Sequence, residues 1–270
     1  MMGVFGIGRA MAAGAALSFA PLFAAILVFA LLPSAAMSAF DPDALWKIVN
    51  GQCVPNQVEH GDPKPCAEVA LKDGAERGYA VLKDRNGPSQ FLLIPTRRIT
   101  GIESPALLEA DAVNYFAAAW QARRFTEKAL GHAMPTDTVS LAVNSVLART
   151  QNQLHVHIDC VRADVRKALI AQRAKIGDRW GSLDEPIGGY PYQAMRVIGP
   201  TLDGYNPFKL LAEGVPGAAA DMAHRTLVVV GMMFDDATPG FVILEDKVDL
   251  LHGDFGAGAR LQDHACAQDY

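Results

Sequence analysis

The sequence lacks several signatures that would point to common activities. No two of its four cysteines, Cys53, Cys66, Cys160 and Cys266, stand as a CxxC pair, which argues against a zinc ribbon or a thioredoxin-type site. No Gly-rich phosphate loop of the Walker type occurs. With 24 Lys and Arg against 29 Asp and Glu, the net charge is −5, so no bulk basic field gathers nucleic acid. An anionic substrate would need local basic residues instead. Charge is nearly missing from the amino terminus, where Arg9 is the only charged residue before Asp41. There is no low-complexity segment and no linker that clearly cuts the remainder in two.

What is present is an apolar leader and an ordinary globular body. The 270 residues suffice for one large domain or two small ones. Mean hydropathy is +0.13, with most of the apolar excess in the first forty residues. The run over 11–40 is long enough to span a bilayer, which takes about 20 apolar residues. A positive charge before it and none directly after it place the amino terminus in the cytoplasm and the body outside. Ala36-Met37-Ser38-Ala39 would suit a signal peptidase, but a retained anchor is preferred. The expected division is a signal anchor over 1–40 and a catalytic body over 41–270. An even cysteine count in an exported chain reads as two disulfides. The short, proline-bearing loop favours Cys53 with Cys66, which leaves Cys160 with Cys266.

Within the body, a helix is expected over 43–49, followed by a Gly/Pro/Asn-rich loop holding Cys53 and Cys66. Strands over 79–82 and 90–94 flank an Asn86-Gly87 turn, which is a hairpin signal. Ser104-Pro105 reads as a helix start. A longer helix over 111–130 carries Val113, Phe116, Ala117 and Trp120 at helical spacing and ends at Gly131. A strand is expected over 139–143, a helix over 164–174, and an irregular segment over 180–206. Strands over 226–234 and 241–244 form a second pair. Phe241-Val242-Ile243-Leu244 echoes Phe91-Leu92-Leu93-Ile94, which raises an internal duplication. The fold class is α+β on an antiparallel sheet with packed helices and two related halves.

The strand over 154–160 carries the chemistry. Strict alternation puts Leu154, Val156 and Ile158 on one face and His155, His157 and Asp159 on the other, about 7 Å apart along the strand. Such side chains are costly to bury without partners, so this face should border a cleft. Three roles fit: metal ligation, a surface cluster, or attack of an imidazole on phosphorus with neighbouring groups holding the phosphate.

The wider spacing, Asn144-x6-Gln151-x3-His155-x-His157, together with the strand and basic residues over 91–99 and a long helix after them, resembles the histidine triad (HIT) superfamily of nucleotide hydrolases and transferases. Within it, Gln-Asn-Gln-Leu-His-Val-His-Ile-Asp-Cys at 151–160, joined to a membrane anchor, is similar to the bacterial CDP-diacylglycerol diphosphatases. The resemblance covers about 43–266. It implies a HIT-like fold and a CDP-diacylglycerol substrate, with the body on the periplasmic side of the inner membrane. It implies no cofactor and no metal. His157 would attack the α-phosphorus and His155 would support its ring. Gln151, and with it Asn152 and Gln153, would donate to the phosphate, and Asn144 would bind nucleotide or phosphate. Arg97, Arg98 and Arg149 would offset phosphate charge, the alternative being solvated surface arginines. The superfamily's usual third histidine, near the leaving group, is Asp159 here. Other readings are a soluble-nucleotide hydrolase or transferase, and a secreted metal-binding protein.

The remaining candidates are weaker. His60, in a Pro-rich loop, and His132, at a helix end, read as surface residues, and His224, His252 and His264 have no partner spacing. Asp235-Asp236 reads as a turn before a cation site. Trp180, Tyr190, Tyr192 and Tyr205 read as packing before base stacking.

Overall fold

The computed structural model describes residues 41–234 and 237–267. The expected anchor over 1–40 and the Asp235-Asp236 turn lie outside the described residues. Among those described, no helix is long and apolar enough to cross a membrane.

The body starts with helix α1 (Ala44–Ile48). Here the structure corrects the sequence reading, because the helix does not give way to a loop at Cys53. A π-helical turn at Val49–Cys53 leads directly into α2 (Val54–His60). Pro55 stands in the first turn of α2, directly after the π-helical turn, and the helical run continues through it. Gly61, at φ +66°, ends it. Cys53 and Cys66 are joined, as are Cys160 and Cys266, in the expected connectivity.

The expected hairpin forms from β2 (Tyr79–Lys83) and β3 (Phe91–Pro95), with β1 (Glu68–Ala70) along the outer edge. Ser104-Pro105 begins only a single 3₁₀ turn, and the Ser104 side chain caps nothing. The long helix starts at Tyr115, where the Asn114 side chain accepts the N–H of Ala117. It breaks at Arg123 into α3 (Tyr115–Ala122) and α4 (Arg124–Leu130) before Gly131 closes it at φ +80°. Strands β4 (Val139–Val143) and β5 (Val156–Val161) and helix α5 (Ala163–Gln172) follow.

The segment expected to be irregular holds β6 (Gly181–Ser182) and β7 (Gln193–Ile198). The run Gln-Ala-Met-Arg-Val-Ile has little alternation, and its six pairs with the next-but-one strand organise it. Helix α6 (Pro207–Gly214) starts on the Asn206 cap. Strands β8 (Arg225–Met233) and β9 (Pro239–Lys247) pair over nine positions, and β10 (Gln262–Asp263) pairs with β5.

All strands join one antiparallel sheet in the order β1-β2-β3-β5-β4-β8-β9-β7-β6, with β10 beside β5. Outward from the β4–β8 seam the strands run β4, β5, β3, β2 on one side and β8, β9, β7, β6 on the other. The same path is therefore traced twice in chain order. This corrects the pairing suggested by the sequence echo: Phe241-Val242-Ile243-Leu244 lies on β9, which occupies the place of β5, not that of β3.

One face of the sheet is covered by a continuous core that includes Phe116, Trp120, Leu141, Ile158, Phe208 and Ile243. The other face carries two smaller cores. One lies around the Cys53–Cys66 disulfide with Ala80, Leu92 and Ile94, and the other around Val165, Leu169, Val228 and Leu244. Strand β5 runs between them.

Candidate active site

Register places the histidines. Leu154, Val156, Ile158 and Cys160 all sit in the large core, each at most 2% exposed. Burial of such a side chain stabilises by about 1.5–3 kcal/mol. A one-residue slip of β5 would exchange them for two imidazoles and a carboxylate, so the alternation is enforced energetically. The ladder itself begins at Val156, and His155 just precedes it. His157 lies between Leu92 of β3 and Ala142 of β4.

The two rings are in contact, with centroids 4.8 Å apart and planes at 67°. Nδ1 of His155 is 2.8 Å from the carbonyl oxygen of Gln153. A carbonyl only accepts, so Nδ1 carries the proton and Nε2 of the neutral ring holds the lone pair. Both ring nitrogens of His157 are buried and have no hydrogen-bond partner. Nδ1 of His157 is 4.0 Å from Oδ2 of Asp84, which projects from the β2–β3 turn. Burial lowers the pKa of His155. Burial, and then the neighbouring imidazoles of His155 and His264, hold His157 well below the ordinary histidine value. Both rings are therefore neutral near pH 7, the form that can act as a nucleophile.

Asp159 is fully buried. Its Oδ1 accepts the N–H of Cys160 at 2.9 Å, and its Oδ2 lies 2.6 Å from Nδ1 of His264. Burial pushes its carboxyl up to about 6, against the opposing hydrogen bond from His264. Nε2 of Gln90 is 3.2 Å from the same His264 nitrogen, and Gln262 donates to the carbonyl of His157 at 3.3 Å. The carboxylate of Asp159 and the sulfurs of Cys160 and Cys266 lie within 4.8 Å of one another. Both sulfurs are consumed in the disulfide, so they offer no thiolate to a metal.

A family model described as CDP-diacylglycerol pyrophosphatase matches residues 40–270. The chain belongs to the CDP-diacylglycerol pyrophosphatase family. The CDP-diacylglycerol pyrophosphatase of Yersinia pestis is 44% identical over 224 residues, which cover 83% of this chain and 84% of that protein.

In this family member the other residues singled out by sequence are mostly engaged with the protein itself. Gln151 accepts from the N–H of Leu45 and donates to the carbonyl of Asp41, while the N–H of Asn152 donates to Pro42. These bonds fasten the start of the body beside the histidine strand. Gln153 is buried and spans three backbone groups, those of Pro95, Arg97 and Ile99. Arg149 makes a two-pronged pair with Glu103 at 2.6 and 2.7 Å. Arg98 pairs with Asp43 and lies over the Trp46 ring, and Arg97 is 3.5 Å from Glu109. Oδ1 of Asn144 accepts from Ala259. In this arrangement Gln151, Gln153, Asn144 and Arg149 brace the loops around the histidines.

Sequence reasoning passed over Asp84, Gln90 and Gln262, and set His264 aside for want of partner spacing. One signal for His264 existed, since it stands two residues before Cys266. The Cys160–Cys266 pairing brings it to Asp159.

The second half of the sheet keeps the frame without the histidines. Aligning β4 with β8 from their first residues sets His157 against Leu244, which is flanked by Ala194 and Val228 as His157 is by Leu92 and Ala142. His155 falls on Val242 and Asp159 on Asp246. A cavity of about 730 Å³ opens there, between Tyr190, Arg225, Asp246 and His252. It is separate from the histidine strand, and the imidazole on its lining, that of His252, is held by Asp249 with Nδ1 2.6 Å from Oδ2.

Proposed function

We propose that this chain hydrolyses CDP-diacylglycerol to CMP and phosphatidate, with His157 as the nucleophile. Family membership supports the substrate. The observation that carries the residue assignment is the state of His157, whose imidazole is buried, neutral and without a hydrogen-bond partner at either nitrogen. A nitrogen lone pair not committed to the protein is available to phosphorus. In the first step this nitrogen forms a bond to the α-phosphorus, and the bond from that phosphorus to the bridging oxygen breaks. Phosphatidate leaves with the bridging oxygen and its electron pair, and a nucleotidyl-histidine remains. Water then attacks the same phosphorus, the P–N bond breaks, and CMP is released. His155, fixed by Gln153, sets the orientation of the His157 ring. Asp84 offsets positive charge as it develops on that ring.

The twice-traced four-strand path with His-x-His on one inner strand supports a HIT-like fold. Two disulfides support a body in an oxidising compartment, and the apolar 1–40 sequence supports a single-pass anchor in a bacterial inner membrane. The test is to incubate the purified full-length protein with CDP-diacylglycerol, with and without chelator, and follow CMP release. No release by wild type, or undiminished release by His157→Ala, would falsify the assignment. Loss of all activity with chelator favours metal chemistry, and turnover of free nucleotides alone favours a soluble substrate.

A further inference from the structure

The Asp159–His264 pair has no part in the nucleophilic step, yet it is built into the same face as His157. Strand β10 pairs Gln262 with Val161 and Asp263 with Cys160. Continuing that register by one residue puts His264 opposite Asp159. Opposite residues on antiparallel strands point to the same face, and Asp159 shares its face with His157 two residues away. The electrostatic influence of His264 on His157 agrees with this proximity. The segment is held on several sides. The Cys160–Cys266 disulfide closes behind it, and Gln90 reaches its ring. Gly87, at φ +62°, lies under the His264 backbone so closely that a Cβ there would sit 2.2 Å from its carbonyl oxygen.

We propose that His264, oriented by the buried Asp159, is the base that activates water to break the nucleotidyl-histidine intermediate. This rests on the reading of His157 as nucleophile. Nδ1 lies 2.6 Å from the Asp159 carboxylate and 3.2 Å from the Gln90 amide nitrogen; the shorter, charged contact places the ring proton on Nδ1 and leaves the Nε2 lone pair free. The His264 side chain is 42% exposed, so water reaches it, whereas His157 is 12% exposed. In the step, water oxygen bonds to phosphorus while one of its protons passes to Nε2 of His264. The P–N bond breaks, its electron pair returns to His157, and CMP departs. His264 then releases the proton to solvent. Asp159 is the positioning residue; it fixes the tautomer and stabilises the imidazolium that forms. The chain thus supplies from its carboxy terminus, 105 residues away, an imidazole beside the position where the superfamily's third histidine would stand.

The experiment is a rapid-quench comparison of wild type, His264→Asn and Asp159→Asn on CDP-diacylglycerol at pH 7.5. Each variant is first checked by mass spectrometry for the intact Cys160–Cys266 disulfide. The expected result for His264→Asn is a stoichiometric burst of phosphatidate with accumulation of nucleotidyl-enzyme. Steady-state CMP release falls by about 10²–10⁴-fold, the usual size of general-base assistance. His264→Gly should regain turnover with added imidazole, which a purely structural role would not allow. Normal CMP release by His264→Asn overturns the proposal, as does equal slowing of both steps without imidazole rescue. If wild type forms no nucleotidyl-enzyme at all, the nucleophile assignment has failed, and that outcome is separate from the behaviour of the variants.

Discussion

Nδ1 of His264 lies 2.6 Å from Oδ2 of Asp159, although 105 residues separate the two in sequence. The contact joins the residue that follows β10 to the centre of the sheet and gives the histidine face a second ionisable pair.

Loss of the nucleophile should be far more damaging than loss of its support. His157→Asn should reduce kcat by about 10⁴-fold or more, in line with removal of other enzymatic nucleophiles. It should also abolish the labelled nucleotidyl-enzyme in an acid-quench assay. His155→Asn should leave the adduct detectable and slow its formation.

The pH profile should place His157 below the ordinary histidine range. Its neighbours on the site are His155, Asp84, Asp159 and His264, and burial is the leading cause of its lowered pKa. The neutral, nucleophilic form therefore persists below pH 6.5. Adduct formation in single-turnover experiments should fall only on the acid side of that value. Stability follows the same sign. As pH drops through about 6.5, the unfolded chain takes up protons on these two histidines and the folded chain does not, so stability falls. An acid limb of adduct formation above pH 6.5 would contradict this.

Asp159 should be a site where function costs stability. Its carboxyl is raised from 3.8 to about 6. Between those values the folded chain holds a proton that the unfolded chain has released. Stability therefore falls as pH rises through that window and stays lower above it, by up to about 3 kcal/mol. Asp159→Asn should raise the Tm at pH 7.5 and lose that advantage near pH 4, while slowing turnover. Thermal melts at the two pH values measure this.

The two disulfides should separate in their effects. Cys160–Cys266 spans 106 residues and Cys53–Cys66 spans 13. In the chain-entropy picture they stabilise by about 4–5 and about 3 kcal/mol respectively. Cys160→Ser with Cys266→Ser should lower both the denaturation midpoint and CMP release, because His264 loses its tether. Cys53→Ser with Cys66→Ser should act mainly on the midpoint.

Arg149 should behave as a brace. It is 7% exposed and forked onto Glu103. Arg149→Ala should destabilise by about 2–4 kcal/mol by leaving the carboxylate unpaired, with KM for CDP-diacylglycerol little changed. A large rise in KM at unchanged Tm would restore it to the phosphate.

Much of the frame was legible along the chain, for physical reasons. The period-2 pattern of Leu154, Val156 and Ile158 dictated which way His155 and His157 point, because burial of those side chains outweighs any other register. Asn86-Gly87 announced the β2–β3 turn, Gly131 the end of α4, and cysteine number with loop length the two disulfides. The helix through Cys53 and the strand over Gln193–Ile198 were not legible. In the first, a proline at a helix start looks like a loop; in the second, pairing with β9 supplies what local pattern lacks.

By itself, then, the sequence determined the strand that holds His155 and His157 and the face on which they stand, because alternation is a local property of the backbone. Only the tertiary structure decided which other groups meet them. Asp84 arrives from a turn and His264 from the carboxy terminus. Gln151, Gln153 and Arg149 are drawn away into loop contacts. Contacts closed across a hundred residues depend on sheet order and register, and no local periodicity encodes either.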